Sequence, residues 1–291
     1  MRLKFWGVRG SIPVPGIQTS KYGGNTPCIE IQNSEEEIII FDAGTGIFQL
    51  GNKLIYENKH KKIHIFLTHF HWDHIQGFPF FAPFFHSDFD IKIYYNRTED
   101  MNAPDFIDQQ MRPGFFPVKR EDVFHANLQF VDITDVDSIN VSSLKIDKIK
   151  THHSDGTYAY KITENEKSIV FMTDNEIFCR KEEMHPNEES ICALNKDLIE
   201  FSKGADILIH DSQYLEKDFS SKVGWGHSNN VAVVYFANSA KVKTLFLFHF
   251  DPEFTDEKVE LMHQNSIYVG ENELSSNVEI LLSQEGKDII L

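Results

Sequence analysis

Three histidines and an aspartate crowd into the run Thr68-His69-Phe70-His71-Trp72-Asp73-His74. An apolar segment, residues 64–67, precedes it and reads as a β-strand. Buried without partners, each of these imidazole and carboxylate groups would cost several kcal/mol. A divalent metal satisfies them together. The spacing carries chemistry as well. Residues i and i+2 of a strand share a face, so His69 and His71 can hold one metal. The turn that follows can aim Asp73 and His74 at a second. Zinc accepts such nitrogen and oxygen donors. Two metals about 3.5–4 Å apart clamp the attacking and leaving oxygens of a displacement reaction. A lone histidine is more often structural or solvated; clustering just past a strand end is what reverses that reading.

A two-metal site needs further ligands, and three later strand ends offer them. Thr151-His152-His153 follows the apolar run 144–149, Thr173-Asp174 follows 169–172, and His249 follows 244–248. An aspartate can bridge two cations, which singles out Asp174. Each residue alone has a bland reading as a turn or loop residue. Their shared position after apolar strands argues for one sheet edge that carries a site.

The elements that must position these groups can be read along the chain. Strands are expected at 3–8, 28–31, 38–41, 64–67, 91–95, 128–131, 144–149, 158–162, 169–172, 207–209, 244–248 and 278–282, all rich in Ile, Val, Phe and Tyr. Helical spacing appears at 191–201, with Gly204 as a C-cap. A second helix is expected at 231–240 behind the capping residues Ser228, Asn229 and Asn230, and a short one at 259–264. Many strands, then strand–helix alternation, imply an α/β fold of two sheets with helices outside. Residues 100–123 interrupt the rhythm with prolines and methionines and a short helix near Phe106–Met111; such segments serve as surface insertions, lids or contact arms.

Composition bounds the function. The 291 residues carry 28 Lys and Arg against 44 Asp and Glu, a formal net charge of −16. That weighs against a surface that grips long nucleic acid through its phosphates, and against docking on anionic lipid. No apolar run approaches the ~20 residues of a membrane helix, and the N-terminus lacks the apolar core of a signal peptide. Three widely spaced cysteines, Cys28, Cys179 and Cys192, fit a reduced, cytoplasmic protein and make a thiolate metal site unattractive.

The run HFHWDH resembles the HxHxDH signature of the metallo-β-lactamase superfamily. The remaining elements resemble its ribonuclease Z and cyclic nucleotide phosphodiesterase branch in order: GVRGSIPVPG, YGGNTPCIEI, IIIFDAGTG, HHSDGTYAYKI, MTDNE, ILIHDSQY, GWGHSNN and LFHFDP. The resemblance covers about residues 3–260. It implies a single domain, residues 1–291, with the four-layer αββα sandwich. Through the spacing to Gly156, Thr157 and Tyr160 it selects His153 over His152 as ligand. It implies one metal held by His69, His71 and His153, and another by Asp73, His74 and His249, with Asp174 bridging. Zn²⁺ is the first choice, with Mn²⁺ or Fe²⁺ as alternatives. A bridging hydroxide would attack, and Asp73 counts among the catalytic residues. Asp211 would orient His227. His227 would bind the phosphoryl oxygen or protonate the leaving oxygen, a role worth roughly 10²–10⁴-fold. The bland readings are a strand-end turn for Asp211 and a loop histidine beside Gly224 and Gly226 for His227.

A two-metal pocket suits a phosphodiester. Overall acidity and the mixed signs of Arg112, Lys119, Arg120, Glu121 and Asp122 favour a small nucleotide over a transfer RNA precursor. Aromatics crowd the segment after the motif: Phe78, Phe80, Phe81, Phe84 and Phe85. Such residues are mostly core, but Phe78 or Phe81, with Met111, Phe115 or Phe116 from the insertion, could wall a pocket and stack on a base. The expectation is therefore a two-metal phosphodiesterase acting on a 3′,5′-cyclic nucleotide, and the resemblance implies a homodimer. A transfer RNA 3′ endonuclease and a non-hydrolytic di-iron sensor or redox protein are the alternatives. Two divalent ions bring a formal +4 against about −3 from Asp73, Asp174 and hydroxide, so a locally cationic pocket is compatible with the acidic chain.

Overall fold

The computed structural model describes residues 1–99, 101–180 and 186–291. They form two compact units, each built on one seven-stranded mixed sheet. The first unit comprises Met1–Pro15, Gly23–Asp137 and Gln284–Leu291. The second comprises Gly16–Tyr22 and Ser138–Ser283.

The first sheet contains β1 (Arg2–Gly7), β2 (Cys28–Gln32), β3 (Ile38–Phe41), β4 (Lys62–Phe66), β5 (Asp90–Tyr95) and β6 (Asn127–Asp132), with β14 (Asp288–Ile290) on the edge beside β1. Pairings from β14 through β3 are antiparallel, and those from β3 through β6 are parallel. The central strands read as unbroken apolar runs because both faces are covered: Ile38, Ile39, Ile40 and Phe41 are all fully buried.

Helix α1 (Gly46–Glu57) lies between β3 and β4 in the chain. It escapes the sequence reading because two glycines interrupt its apolar face. Gly46 is demanded by packing, since a Cβ there would stand 2.4 Å from the Trp6 carbonyl oxygen. Helix α2 (Trp72–Ile75) is a single turn carrying half of the HxHxDH run. Helix α3 (Ala103–Gln110) fills the expected place in the insertion, and α4 (Arg120–Val123) closes it. Asp100, the insertion's first residue, lies outside the described residues. The insertion is anchored, because Phe106, Ile107 and Met111 sit in the core of this unit beside Phe78, Phe81 and Phe84.

The second sheet runs β7 (Ser138–Val141), β8 (Leu144–Lys150), β9 (Tyr158–Glu164), β10 (Lys167–Met172), β11 (Ile207–Asp211), β12 (Thr244–Phe248) and β13 (Glu279–Leu282) in spatial order. Pairings are again antiparallel as far as β10 and parallel beyond it. Ile146, Ile162, Phe171, Leu208, Phe236 and Phe246 contribute buried side chains to its core.

The helix expected at 191–201 is two helices, α5 (Glu188–Leu194) and α6 (Lys196–Ser202). Asn195 separates them. Its side chain bonds both backbone groups of Phe178 and accordingly breaks the helical run. Helix α7 (Glu216–Phe219) is one turn. Helix α8 (Asn230–Ser239) starts where expected, with the Asn229 side chain accepting from the Ala232 amide at 2.9 Å. Helix α9 (Asp256–Tyr268) is longer than its apolar pattern suggested, because Thr255 caps it through the Lys258 amide. The edge strands β7 and β14 went unread because they are short and flanked by polar residues.

Candidate active site

In the first unit the site grows from the end of β4. Thr68 to His74 leave the strand and turn into α2. The His69 ring lies 4.4 Å from that of His71 and 4.3 Å from that of His74, centroid to centroid. His69, Asp73 and His74 are buried, while His71 is exposed. A residue that the sequence reading quoted but did not single out organises them. Asp42, one residue past β3, is wholly buried with a positive φ of 63°. It accepts hydrogen bonds from the Thr68 amide at 2.8 Å and the Thr68 hydroxyl at 2.9 and 3.0 Å, and it contacts His74 Nδ1 at 2.8 Å. Burial pushes its carboxyl above the usual range, against the pull of His74. Thr68 Oγ1, its proton directed at Asp42, lies 3.0 Å from His69 Nδ1. The Ser11 amide donates to Asp73 Oδ2 at 2.8 Å. A charged residue at an apolar strand end, as in IIIFDAG, was the available signal for Asp42.

In the second unit the donors come from separate strand ends. Asp174, just past β10, has φ 50°, and His249, just past β12, has φ 60°. Both are buried. Asp174 Oδ2 is 3.5 Å from His153 Nε2, and its Oδ1 is 3.2 Å from His249 Nε2. His152 points elsewhere: its ring stacks on Phe178 at 4.1 Å. Asp211, at the end of β11, meets His227 Nδ1 at 2.6 Å and accepts from the Gln213 amide at 2.9 Å. One donor atom from each of Asp174, Asp211, His227 and His249 lies within 4.8 Å of the others.

The loop before His227 is pinned by Glu176, whose carboxylate accepts from the amides of Gly224 and Gly226 at 2.8–2.9 Å. Gly226 must be glycine. Its φ is +82°, and a Cβ would lie 2.2 Å from His153 Nδ1. Neither Glu176 nor Gln213 was singled out from sequence, because each acts only through a backbone or ring that folding brings to it.

Whether these residues suit metal ions turns on their ring nitrogens. A metal-bound histidine uses one ring nitrogen and donates the hydrogen of the other to an acceptor. The Nδ1 atoms of His74, His153 and His249 face Asp42, the Gly226 carbonyl and Gln213 Oε1, at 2.8, 2.8 and 3.1 Å. A carbonyl oxygen can only accept, so Nδ1 of His153 carries the hydrogen and Nε2 keeps its lone pair. Burial lowers the pKa of His153, which also favours the neutral, ligating ring. The donor set fits a divalent cation.

The sequence is matched over residues 37–250 by the family profile described as the beta-lactamase superfamily domain. The chain belongs to this superfamily. It is accordingly an enzyme, a hydrolase, and its fold is that of the metallo-β-lactamases. The ribonuclease Z of Picrophilus torridus is 24% identical over 308 residues, spanning 92% of this chain and 91% of its own. Among solved structures, the metallo-β-lactamase fold protein YhfI of Bacillus subtilis aligns with a TM-score of 0.66 at 17% identity, covering 99% of this chain and 98% of its own. The short form of human tRNase Z aligns with a TM-score of 0.61 at 18% identity, covering 100% and 99%. Among the described residues, no helix is long and apolar enough to cross a membrane.

The aromatic candidates need correction. Phe78 and Phe81 are completely buried and Met111 is 2% exposed, all within the first unit's core. Their rings and thioether face other apolar side chains and offer no surface to a solute. Phe116 is partly buried and packs on Phe80, with ring centroids 5.6 Å apart.

Proposed function

We propose that this chain is a two-metal phosphodiesterase. His69, His71, Asp73 and His74 of the first unit and His153, Asp174 and His249 of the second are its metal ligands. The observation that carries the proposal is the set of braces behind the histidines, with Asp42, the Gly226 carbonyl and Gln213 each holding an Nδ1. Three histidines from separate elements thus commit the same ring nitrogen to an acceptor and keep Nε2 for a cation. When bound, the metals polarise a phosphoryl oxygen and lower the pKa of coordinated water. Zn²⁺ is the first choice, with Mn²⁺ or Fe²⁺ as alternatives.

The chain's own residues then do three things. Asp42 and Thr68 fix the rings of His74 and His69. Glu176 fixes the loop that delivers His227. Asp211 holds His227 Nδ1 and stabilises the imidazolium, so that Nε2 presents its proton to the leaving oxygen.

We further propose that the substrate is a small phosphodiester, a 3′,5′-cyclic nucleotide first. Charge supports this. Arg120 is tied to Asp108 at 2.7 Å, and Lys119 lies 3.7 Å from Glu121. The basic residues at 119–120 are thus neutralised locally, in a chain of net −16. A second reading, 3′ cleavage of transfer RNA precursors, is favoured by the curated relatives, named ribonuclease Z, which match over nine-tenths of the chain. A homodimer in the cytoplasm completes the proposal.

The test is a hydrolysis panel run on the metal-loaded enzyme with metal analysis of the same preparation. Conversion of a cyclic nucleotide to its monophosphate supports the first reading. Discrete cleavage of a precursor transcript, with no small diester turned over, replaces it with the second.

A further inference from the structure

Beside the HxHxDH run, wholly within the first unit, lies a cleft of about 400 Å³ lined by Phe70, Trp72, Met101, Gln110, Arg112 and Phe115, among others. Trp72 stands between two of the proposed ligands, His71 and Asp73. The cleft therefore opens directly beside the motif.

Three observations set it apart from ordinary surface. First, two large aromatic side chains are left open: Trp72 is 58% exposed and Phe115 is 76% exposed. Second, the Arg112 guanidinium lies over the Phe115 ring, 4.8 Å from its centroid, and has no carboxylate partner among the described residues. Arg97 and Arg120 of the same unit are each held by aspartates. An unpaired arginine is conspicuous where acids outnumber bases 44 to 28. Third, the Gln110 side chain donates through Nε2 to the Ile75 carbonyl at 3.0 Å, and its Oε1 is buried without a hydrogen-bond partner. A buried acceptor left unsatisfied costs about 1–3 kcal/mol and calls for a donor from a ligand.

We infer that this cleft is a base-binding subsite for a nucleobase bearing an exocyclic amino group. The planar base stacks against the open aromatic faces, as bases do in single-strand-binding proteins. Its amino group donates to Gln110 Oε1, which a turn of this cleft-lining side chain brings to the base. Arg112 supplies hydrogen-bond donors to a ring nitrogen or carbonyl on the same base. As a substrate subsite the inference rests on the phosphodiesterase reading, which it deepens by naming the base; binding of a free nucleoside does not depend on turnover.

The experiment uses the metal-loaded full chain carrying Trp225→Phe, so that Trp72 is the exposed indole reporting. Adenosine should quench its fluorescence saturably. Ribose 5-phosphate, which has no base, should not. Inosine, which lacks the amino group, should bind about tenfold more weakly, the range for one lost hydrogen bond that leaves its acceptor unpaired. Phe115→Ala, at an exposed position, should weaken adenosine about 5- to 100-fold, the range for loss of one base–aromatic stack. Gln110→Leu should erase the preference for adenosine over inosine. No quenching by any nucleoside, or adenosine affinity unmoved by Phe115→Ala, overturns the subsite. Adenosine binding together with no turnover of any phosphodiester overturns the catalytic reading and leaves the subsite standing.

Discussion

The two units follow the same strand scheme and use it differently. In each, three antiparallel pairings give way to three parallel ones, and an aspartate of positive φ closes the strand at the changeover. In the first unit that residue is Asp42; in the second it is Asp174. Asp42 is sealed behind its strand and spends both oxygens on Thr68 and His74. Asp174 instead turns its oxygens toward His153 and His249. An aspartate just past the strand at the changeover thus serves as a brace in one sheet and a proposed ligand in the other. What decides is the neighbouring strand end. The strand β4 runs into three histidines that need holding, whereas β11 ends in Asp211, which holds a histidine of its own.

The donors are also distributed differently. The first unit draws them from one strand end, within six residues. The second draws them from three separate places, after β8, β10 and β12. Parallel register aligns the ends of β10, β11 and β12: Met172 pairs with His210, and Asp211 with Phe248.

The comparison breaks most directly at the ligands. Asp73→Ala in the first unit and Asp174→Ala in the second should each reduce phosphodiester turnover to background, as should chelation. Retained turnover in either variant, with full metal content, would remove that unit's carboxylate from the mechanism. His227→Ala should lower kcat about 10²–10⁴-fold with metal content unchanged. If metal content falls as far as in His69→Ala, His227 is a ligand rather than the acid, which the tight grouping of Asp174, Asp211, His227 and His249 would then explain.

The brace role of Asp42 is tested by Asp42→Asn, which keeps the shape and removes the charge. Metal affinity should drop about 10–100-fold, the usual range for a partner behind a ligating histidine. The reading of Phe78 as core is a matter of stability. Phe78→Ala should cost ~3–5 kcal/mol in denaturant unfolding, whereas Phe80→Ala, half exposed, should cost under about 1 kcal/mol.

The smallest effect is a pH dependence carried by the second unit. His210 of the second sheet is fully buried, and burial lowers its pKa from the ordinary 6.5. Its Nδ1 donates to the Asp211 carbonyl, and its Nε2 accepts from Asn175. Because the folded pKa is depressed, the unfolded chain takes up the proton first. The stability held above about pH 6.5 is lost as pH falls below it. Melting temperatures of metal-free protein between about pH 7.5 and 5.5 should therefore drop less steeply for His210→Gln than for the parent. Parallel slopes would mean His210 does not set this dependence.

Much of the fold was readable from the chain because the apolar strands are long and uninterrupted. The strands expected at 38–41 and 244–248 coincide with β3 and β12 residue for residue. The HxHxDH cluster was legible because its donors are contiguous. Helix α1 was not, because its glycines answer to Trp6 and other neighbours, contacts that exist only after folding. The break between α5 and α6 was hidden for a similar reason. It is made by the Asn195 side chain reaching Phe178, which belongs to neither helix.

The sequence by itself determined the α/β class, the candidate donor residues and the family, because donor identity and strand period are local properties. Tertiary structure decided the rest. It showed which nitrogen His74, His153 and His249 keep, since that depends on acceptors brought from other elements. It made Asp42 and Glu176 part of the site, since both act through groups distant in sequence. It also moved Phe78, Phe81 and Met111 into the core and left Trp72 and Phe115 open. Aromatic residues look alike in a sequence, and only packing decides which of them meet solvent.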